Sequence, residues 1–121
     1  MHKLLVVDDQ NGMRSLLEEV FHQEGLSVLT AATGTDALKQ LRSIRPDLML
    51  LDLKLPGLDG YAVLQEAHHL YPMLPVIVMT AAYDEKCMSD LRSRTGVLAV
   101  LTKPFDLWKV KNLVMDYLCA T

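Results

Sequence analysis

The sequence predicts a doubly wound α/β fold, in which helices cover both faces of one parallel β-sheet. Five apolar runs of strand length alternate with segments of helical periodicity, which is typical of this fold class. Three of the runs are apolar at four successive positions, as strands buried on both faces should be. The chain has 121 residues, 50% of them hydrophobic, which is enough for one compact domain and too few for two.

Each predicted strand is about five residues long. The strands occupy residues 3–7, 27–31, 47–51, 75–80 and 98–102. The segments between them carry apolar residues three and four positions apart, which predicts amphipathic helices packed on the sheet. The first helix has the apolar positions Met13, Leu16, Leu17, Val20 and Phe21, and Gly25 follows it as a stop signal.

The remaining helices are delimited by prolines and by the chain end. The second and third are predicted to end before Pro46 and Pro72, and a fifth closes the chain. The fourth, around residues 84–94, has the weakest pattern because only Met88 and Leu91 mark an apolar face.

Composition excludes several classes of function. Twelve basic and fifteen acidic residues give a net charge of -3, which disfavours direct binding to nucleic acid or to an anionic membrane. No apolar run is long enough to span a bilayer, and the N-terminus does not resemble a secretory signal. Cys87 and Cys119 lack metal-ligand spacing, and the four histidines are interpreted as solvated surface residues. We expect a cytoplasmic monomer.

Polar side chains stand at the carboxyl ends of four predicted strands. Asp8 and Asp9 follow the first strand, Asp52 follows the third, Thr80 ends the fourth and Lys103 follows the fifth. Ligands bind at this edge in doubly wound sheets, so we expect a functional site here.

The acids at the strand ends have two interpretations. Turn formation or helix capping is the simpler one, and it suits Asp47, Asp59 and Asp106. It does not suit the three acids of the site together, because adjacent carboxylates repel one another unless a cation relieves the repulsion. Oxygen ligands without histidine or cysteine favour Mg²⁺, with Ca²⁺ or Mn²⁺ as alternatives.

A metal on carboxylates beside a lysine and a hydroxyl is typical of phosphoryl transfer. Asp52 is the predicted nucleophile because it ends the middle strand, with Asp8 and Asp9 on one side and Thr80 and Lys103 on the other. The product would be an aspartyl phosphate.

Four motifs support a family resemblance. They are Val7-Asp8-Asp9, Leu51-Asp52-Leu53-Lys54-Leu55-Pro56-Gly57-Leu58-Asp59-Gly60, Met79-Thr80-Ala81 and Lys103-Pro104-Phe105. With these motifs in this order, essentially the whole chain resembles the receiver domain of two-component response regulators. The resemblance implies the (βα)5 flavodoxin-like fold with strand order 2-1-3-4-5.

The resemblance also implies the role of each site residue. Asp52 would accept a phosphoryl group from the phosphohistidine of a sensor histidine kinase. The implied Mg²⁺ ligands are Asp8, Asp9, Asp52 and the backbone carbonyl of Lys54. The implied phosphoryl contacts are Thr80, Ala81 and Lys103, and the Lys103-Pro104 bond is expected to be cis.

Helix one carries an apolar stripe wider than packing on a sheet requires, so one edge should stay exposed. By resemblance, a docking surface for the histidine-bearing helices of a kinase or phosphotransfer partner comprises Gln10, Met13, Arg14, Leu16, Pro104 and Phe105. Ordinary packing of the helix is the alternative.

Within the family, several segments resemble single-domain receivers of the sporulation phosphorelay. The similar segments are 8–10, 12, 14, 20–21, 24–25, 45–48 and 103–106. We therefore expect one receiver domain, 1–121, without an output domain, that passes its phosphoryl group to a histidine phosphotransfer protein or downstream regulator. It would be a signalling phosphoacceptor rather than an enzyme. The alternatives are the N-terminal receiver of a larger transcriptional regulator and a phosphorylation-independent scaffold.

Two further functions share parts of this pattern. A flavin-binding protein of the flavodoxin type would have the same fold class, but Asp8 and Asp9 would repel its cofactor's phosphate. Mg²⁺-dependent phosphate-ester hydrolases that use an aspartyl intermediate usually carry a second acid two residues after the nucleophile. Lys54 occupies that position here.

Overall fold

A computed structural model describes residues 2–57, 59–81, 89–91, 93–94 and 96–119. The five strands form one parallel sheet in the order β2-β1-β3-β4-β5, which confirms the predicted fold class and strand order. The strands are β1 (Lys3–Val7), β2 (Ser27–Ala31), β3 (Leu48–Asp52), β4 (Val76–Thr80) and β5 (Val97–Thr102). The helices are α1 (Asn11–Gln23), α2 (Gly34–Ser43), α3 (Gly60–Leu70) and a C-terminal helix (Leu107–Cys119).

The predicted boundaries are correct for the first two strands and shift by one residue in the others. β3 begins at Leu48, one residue later than predicted. The carboxylate of the preceding Asp47 accepts the main-chain N–H of Lys3 at 2.7 Å. The strand ends at Asp52, which pairs with Met79 of β4. The predicted helix over 84–94 falls mostly outside the described residues. Of the described positions there, Leu91 is buried among core residues.

Helices cover both faces of the sheet, and the side chains of each strand alternate between two apolar layers. In β1, Leu4 and Val6 contact one layer, whereas Leu5 and Val7 contact the other. The first layer is completed by buried residues of α1 and the C-terminal helix, namely Leu17, Phe21, Val110, Val114 and Leu118. The second is completed by residues of α2 and α3, namely Ala37, Leu41, Val63, Leu64 and Ala67. In the described ranges, no helix has the length and apolar character needed to cross a membrane.

Polar side chains outside the site act as caps and turn residues, as predicted. The Asp59 carboxylate accepts the N–H of Ala62 at 3.0 Å and so caps α3. The Asp106 carboxylate accepts the N–H of Trp108 at 2.9 Å, at the start of the C-terminal helix. These contacts satisfy backbone donors that the first helical turn leaves without partners.

The expectation that all four histidines are solvated is wrong for His68. This residue is half-buried on α3, and its Nε2 lies 3.0 Å from the carbonyl oxygen of Leu74. A Cβ atom at Gly96 would come within 2.6 Å of the same nitrogen. The ring therefore packs against a segment distant in sequence, which helical periodicity does not reveal.

Gly60 lets α3 begin directly against the loop that follows the phosphoacceptor candidate Asp52. Its N–H donates to the carbonyl of Leu53 at 2.9 Å. A Cβ atom at this position would lie 2.3 Å from the Cα of Leu53 and 2.7 Å from the carbonyl oxygen of Asp52. Both contacts are to backbone, so no side chain can rotate away to make room.

We expect Gly60→Ala to lower the free energy of unfolding by about 2 to 3 kcal/mol, because the added methyl group displaces backbone. Gly12→Ala is the matched control. It lies in α1, and a Cβ there meets nothing within 4 Å. Alanine should stabilise that position by up to about 1 kcal/mol. Urea unfolding of both variants checks the prediction, and equal effects would contradict it.

Candidate functional site

The carboxyl edge of the sheet brings the predicted site residues together. Asp8, the first residue after β1, is fully buried, and Asp52 and Thr80 at the ends of β3 and β4 are also buried. Lys103, after β5, is half-buried, and its N–H donates to the carbonyl of Thr80 at 2.7 Å. Asp9 is exposed at the rim. The parallel direction of the strands places these residues at one edge despite their separation in sequence.

The ammonium group of Lys103 lies between two buried carboxylates. Its Nζ is 2.8 Å from Oδ2 of Asp8 and 3.0 Å from Oδ2 of Asp52. This ammonium group relieves part of the acidic repulsion, all of which the sequence argument assigned to a metal ion. The lysine supplies one positive charge against three carboxylates, so the cluster of Asp8, Asp9, Asp52 and Lys103 keeps a net negative charge.

The second oxygen of each buried carboxylate accepts a main-chain N–H. Oδ1 of Asp8 accepts from Gln10 at 2.9 Å, and Oδ1 of Asp52 accepts from Lys54 at 3.0 Å. Sequence reasoning missed both donors. Each lies two residues after its aspartate, the spacing of an Asx turn, and that spacing is the signal that could have revealed them. Both carboxylates are thus fixed at two points.

Asp52 and Lys103 both have raised pKa values, but for different reasons. Burial raises the pKa of Asp52 above its ordinary value, although the N–H of Lys54 and the charge of Lys103 oppose this. Burial alone would lower the pKa of Lys103, but hydrogen bonds and charge from Asp8 and Asp52 outweigh it and raise that pKa. The lysine is therefore firmly cationic at neutral pH.

The acidic residues fit a hard divalent cation. Asp8, Asp9 and Asp52 each offer one carboxylate oxygen, and these atoms lie within 4.8 Å of one another. Oxygen-only donors suit Mg²⁺, which binds through a few carboxylates and retains water. Because Asp9 is exposed, solvent can reach this side of the cluster.

The other predicted site residues follow the ends of strands at the same edge of the sheet as the acidic cluster. Lys54 has an exposed side chain in the loop after β3, and Ala81 is exposed directly after β4. The Lys103-Pro104 peptide bond is cis, as expected.

The predicted docking residues are exposed to different degrees. Leu16 is 45% exposed, and Gln10 and Pro104 are also exposed. Met13 and Phe105 are half-buried against the apolar layer formed by α1 and the C-terminal helix. The exposed edge predicted for helix one is therefore present at Leu16.

Arg14 differs from the other predicted docking residues. It is half-buried, and its Nη1 donates to the main-chain carbonyl of Asp8 at 2.8 Å. Its guanidinium group thus contacts the acidic site of its own chain.

Comparison with known proteins gives a consistent result. Residues 4–115 match the response regulator receiver domain family. The chain is 43% identical over 116 residues to Sporulation initiation phosphotransferase F of Bacillus subtilis, covering 96% of this chain and 93% of the relative. It is 38% identical over 109 residues to the DNA-binding transcriptional regulator NtrC of Escherichia coli, but it spans only 23% of that protein.

Solved structures agree with these relationships. A CheY-like response regulator receiver domain protein from Methanospirillum hungatei superposes with a TM-score of 0.90 at 25% identity, covering 99% of this chain and 95% of the other. The response regulator TrrA of Thermotoga maritima, in complex with Mg²⁺ and BeF, superposes with a TM-score of 0.82 at 34% identity, covering 96% and 98%. Fold, sequence and the acidic edge of the sheet together show that this chain belongs to the response regulator receiver domain family.

Proposed function

We propose that the protein accepts a phosphoryl group from the phosphohistidine of a sensor histidine kinase onto Asp52. The observation that carries the proposal is the placement of Asp52 among Asp8, Asp9 and Lys103. A carboxylate beside acidic metal ligands and a cation is equipped for phosphoryl transfer, where catalysis depends mainly on positioning and charge.

Asp52 is favoured as nucleophile over its acidic neighbours because of its position in the sheet. It ends β3, which pairs with β1 on one side and β4 on the other. Asp8 and Asp9 therefore flank it from one side, and Thr80 flanks it from the other. Thr80, Ala81 and Lys103 are the groups that we assign to phosphoryl contact.

In the proposed step, a carboxylate oxygen of Asp52 forms a bond to phosphorus while the phosphorus–nitrogen bond of phosphohistidine breaks. The imidazole leaves with the electron pair of that bond and takes up a proton. The ammonium of Lys103 already contacts Asp52 Oδ2, so it can follow the negative charge onto the phosphoryl oxygens. Mg²⁺ held by Asp8, Asp9, Asp52 and the carbonyl of Lys54 would supply further positive charge for those oxygens.

We further propose that the protein passes its phosphoryl group to a histidine of another protein rather than acting through its own surface. Many receivers carry an aromatic residue where this chain has Val100. Val100 is a buried, β-branched residue of β5 with few rotamers, so it offers no long side chain to relay a change. The similarity over nearly the whole of a sporulation phosphotransferase supports this role, with a histidine phosphotransfer protein or downstream regulator as acceptor. In this proposal the protein is a cytoplasmic monomer.

A receiver within a larger regulator is the second candidate, and the similarity to NtrC favours it. In that case phosphorylation would change the surface of the receiver and thereby an attached output domain. The two candidates share the same chemistry at Asp52 and differ in how the phosphorylated state is used.

Asp52→Asn should abolish phosphorylation by acetyl phosphate and Mg²⁺, because the amide cannot form an acyl phosphate. Intact mass spectrometry measures the covalent adduct, and hydroxylamine should remove it from the wild type. Asp59→Asn is the matched control, since asparagine also caps a helix and Asp59 lies outside the acidic cluster. If the adduct persists in Asp52→Asn, Asp52 is not the phosphorylated residue.

Without Mg²⁺, Asp52→Asn should be more stable than the wild type at pH 7. Folding raises the pKa of Asp52, so this carboxylate destabilises the fold when ionised. This loss of stability becomes smaller as the pH falls from above the raised pKa of folded Asp52 toward the ordinary pKa of an aspartate, because protons bind the folded state preferentially. Urea unfolding should therefore show the advantage of Asp52→Asn decreasing from pH 7 to pH 4. An advantage that grows over that range would contradict the raised pKa.

The relay proposal predicts that phosphorylated protein loses its phosphoryl group to a histidine phosphotransfer domain faster than to water. It also predicts that Mg²⁺ and beryllofluoride leave the protein monomeric, as measured by light scattering. If beryllofluoride induces a dimer, and if the phosphorylated protein transfers its phosphoryl group to no histidine partner, the larger-regulator candidate is favoured instead.

A further inference from the structure

Arg14 is tied to the backbone of the acidic site rather than pointing freely into solvent. It lies in the first part of α1 and is half-buried. Nη1 donates to the main-chain carbonyl of Asp8 at 2.8 Å, and Nη2 donates to Oδ1 of Asn11. Two donors of a planar guanidinium group are thus engaged at once, which orients the group more firmly than a single contact would.

The contact with the Asp8 carbonyl affects Asp9 more than Asp8. The carbonyl of Asp8 and the N–H of Asp9 belong to one rigid peptide unit, so holding the oxygen fixes the direction in which the chain enters Asp9. Asp8 is also held by its own N–H on Ala31 at 3.1 Å, by the N–H of Gln10 and by Lys103. Within the described ranges, the structure shows no hydrogen bond or ion pair of the Asp9 side chain.

We propose that Arg14 is a positioning residue for the metal site, acting through the peptide unit that joins Asp8 and Asp9. It places the exposed carboxylate of Asp9 within reach of a cation shared with Asp8 and Asp52. This inference rests on the proposed Mg²⁺ site. It gives Arg14 a function inside its own chain, in addition to the docking role that the sequence suggested.

Charge and positioning have opposite effects on metal binding, so they can be separated. A guanidinium group near the cluster repels a divalent cation, and its removal alone would tighten Mg²⁺ binding. Loss of positioning would instead weaken Mg²⁺ binding, because Asp9 would have to be ordered when the metal binds. If Arg14 served only for partner docking, its removal would leave Mg²⁺ binding unchanged or make it tighter.

The first experiment is calorimetric titration of the whole chain with Mg²⁺ for the wild type, Arg14→Gln and Arg14→Lys. Arg14→Gln should weaken binding by about tenfold, the usual scale for losing a group that orients a metal ligand. Arg14→Lys should also weaken binding, because it keeps the charge but lacks the planar pair of donors. Arg42→Gln is the control, an exposed cation in the last turn of α2, and it should bind Mg²⁺ like the wild type.

A double-mutant cycle with Asp9→Asn distinguishes positioning from a general structural role. If Arg14 acts through Asp9, then Arg14→Gln should have little further effect on Mg²⁺ affinity once Asp9 is Asn. The acetyl phosphate reaction provides a second readout. Arg14→Gln should reach nearly the wild-type rate when Mg²⁺ is raised to saturation, because the variant changes metal affinity and not the chemical step.

The outcomes separate this inference from the proposed function. Unchanged or tighter Mg²⁺ binding in Arg14→Gln, or additive effects in the cycle, would overturn the positioning role. A wild type that does not bind Mg²⁺ would overturn the proposed function instead. The melting temperature without Mg²⁺ shows whether Arg14→Gln folds. If it does not fold, the Mg²⁺ affinity of Arg14→Lys decides the test.

Discussion

The ion pairs of Lys103 with Asp8 and Asp52 are the interaction on which the rest of the site depends. Two buried carboxylates would be costly if they stood alone, because burial disfavours the charged form. One ammonium group contacts both of them at 2.8 and 3.0 Å, although the aspartates lie 95 and 51 residues away in sequence. This contact links the ends of β1 and β3 to the segment after β5 and gives both buried carboxylates a cationic partner.

The fold supplies the conditions for this contact. A parallel sheet brings the strand ends to one edge, and main-chain N–H groups of Gln10 and Lys54 orient the second oxygen of each buried carboxylate. Gly60 allows α3 to begin against the loop that contains Lys54. Hydrogen bonds hold the buried carboxylates of the resulting site, and Asp9 is exposed to solvent. The net negative charge of the cluster favours a divalent cation.

Much of this organisation could be predicted from sequence, because it depends on short-range patterns. The apolar runs gave all five strands to within one residue at each end, and the acids at their ends predicted the location of the site. The strand order came from the family motifs, since periodicity does not determine which strands are neighbours. The sequence placed Lys103 at the same edge as the acids but did not show its direct contact with Asp8, nor the contact of His68 with the segment at Gly96, because each joins parts of the chain far apart in sequence. The hydrogen bond from Arg14 to the carbonyl of Asp8 spans only six residues, but periodicity does not show which group a long side chain contacts.

The most direct test of this account is thermal unfolding of Lys103→Met with and without Mg²⁺. If the ammonium group relieves the repulsion between the buried acids, the variant should melt below the wild type without Mg²⁺. Mg²⁺ should then raise its melting temperature by more than that of the wild type, because the metal ion supplies the positive charge that the ammonium group no longer gives to the carboxylates. Lys109→Met, at an exposed position of the C-terminal helix, should behave like the wild type. A Lys103→Met variant that melts like the wild type and gains no extra stability from Mg²⁺ would contradict the account.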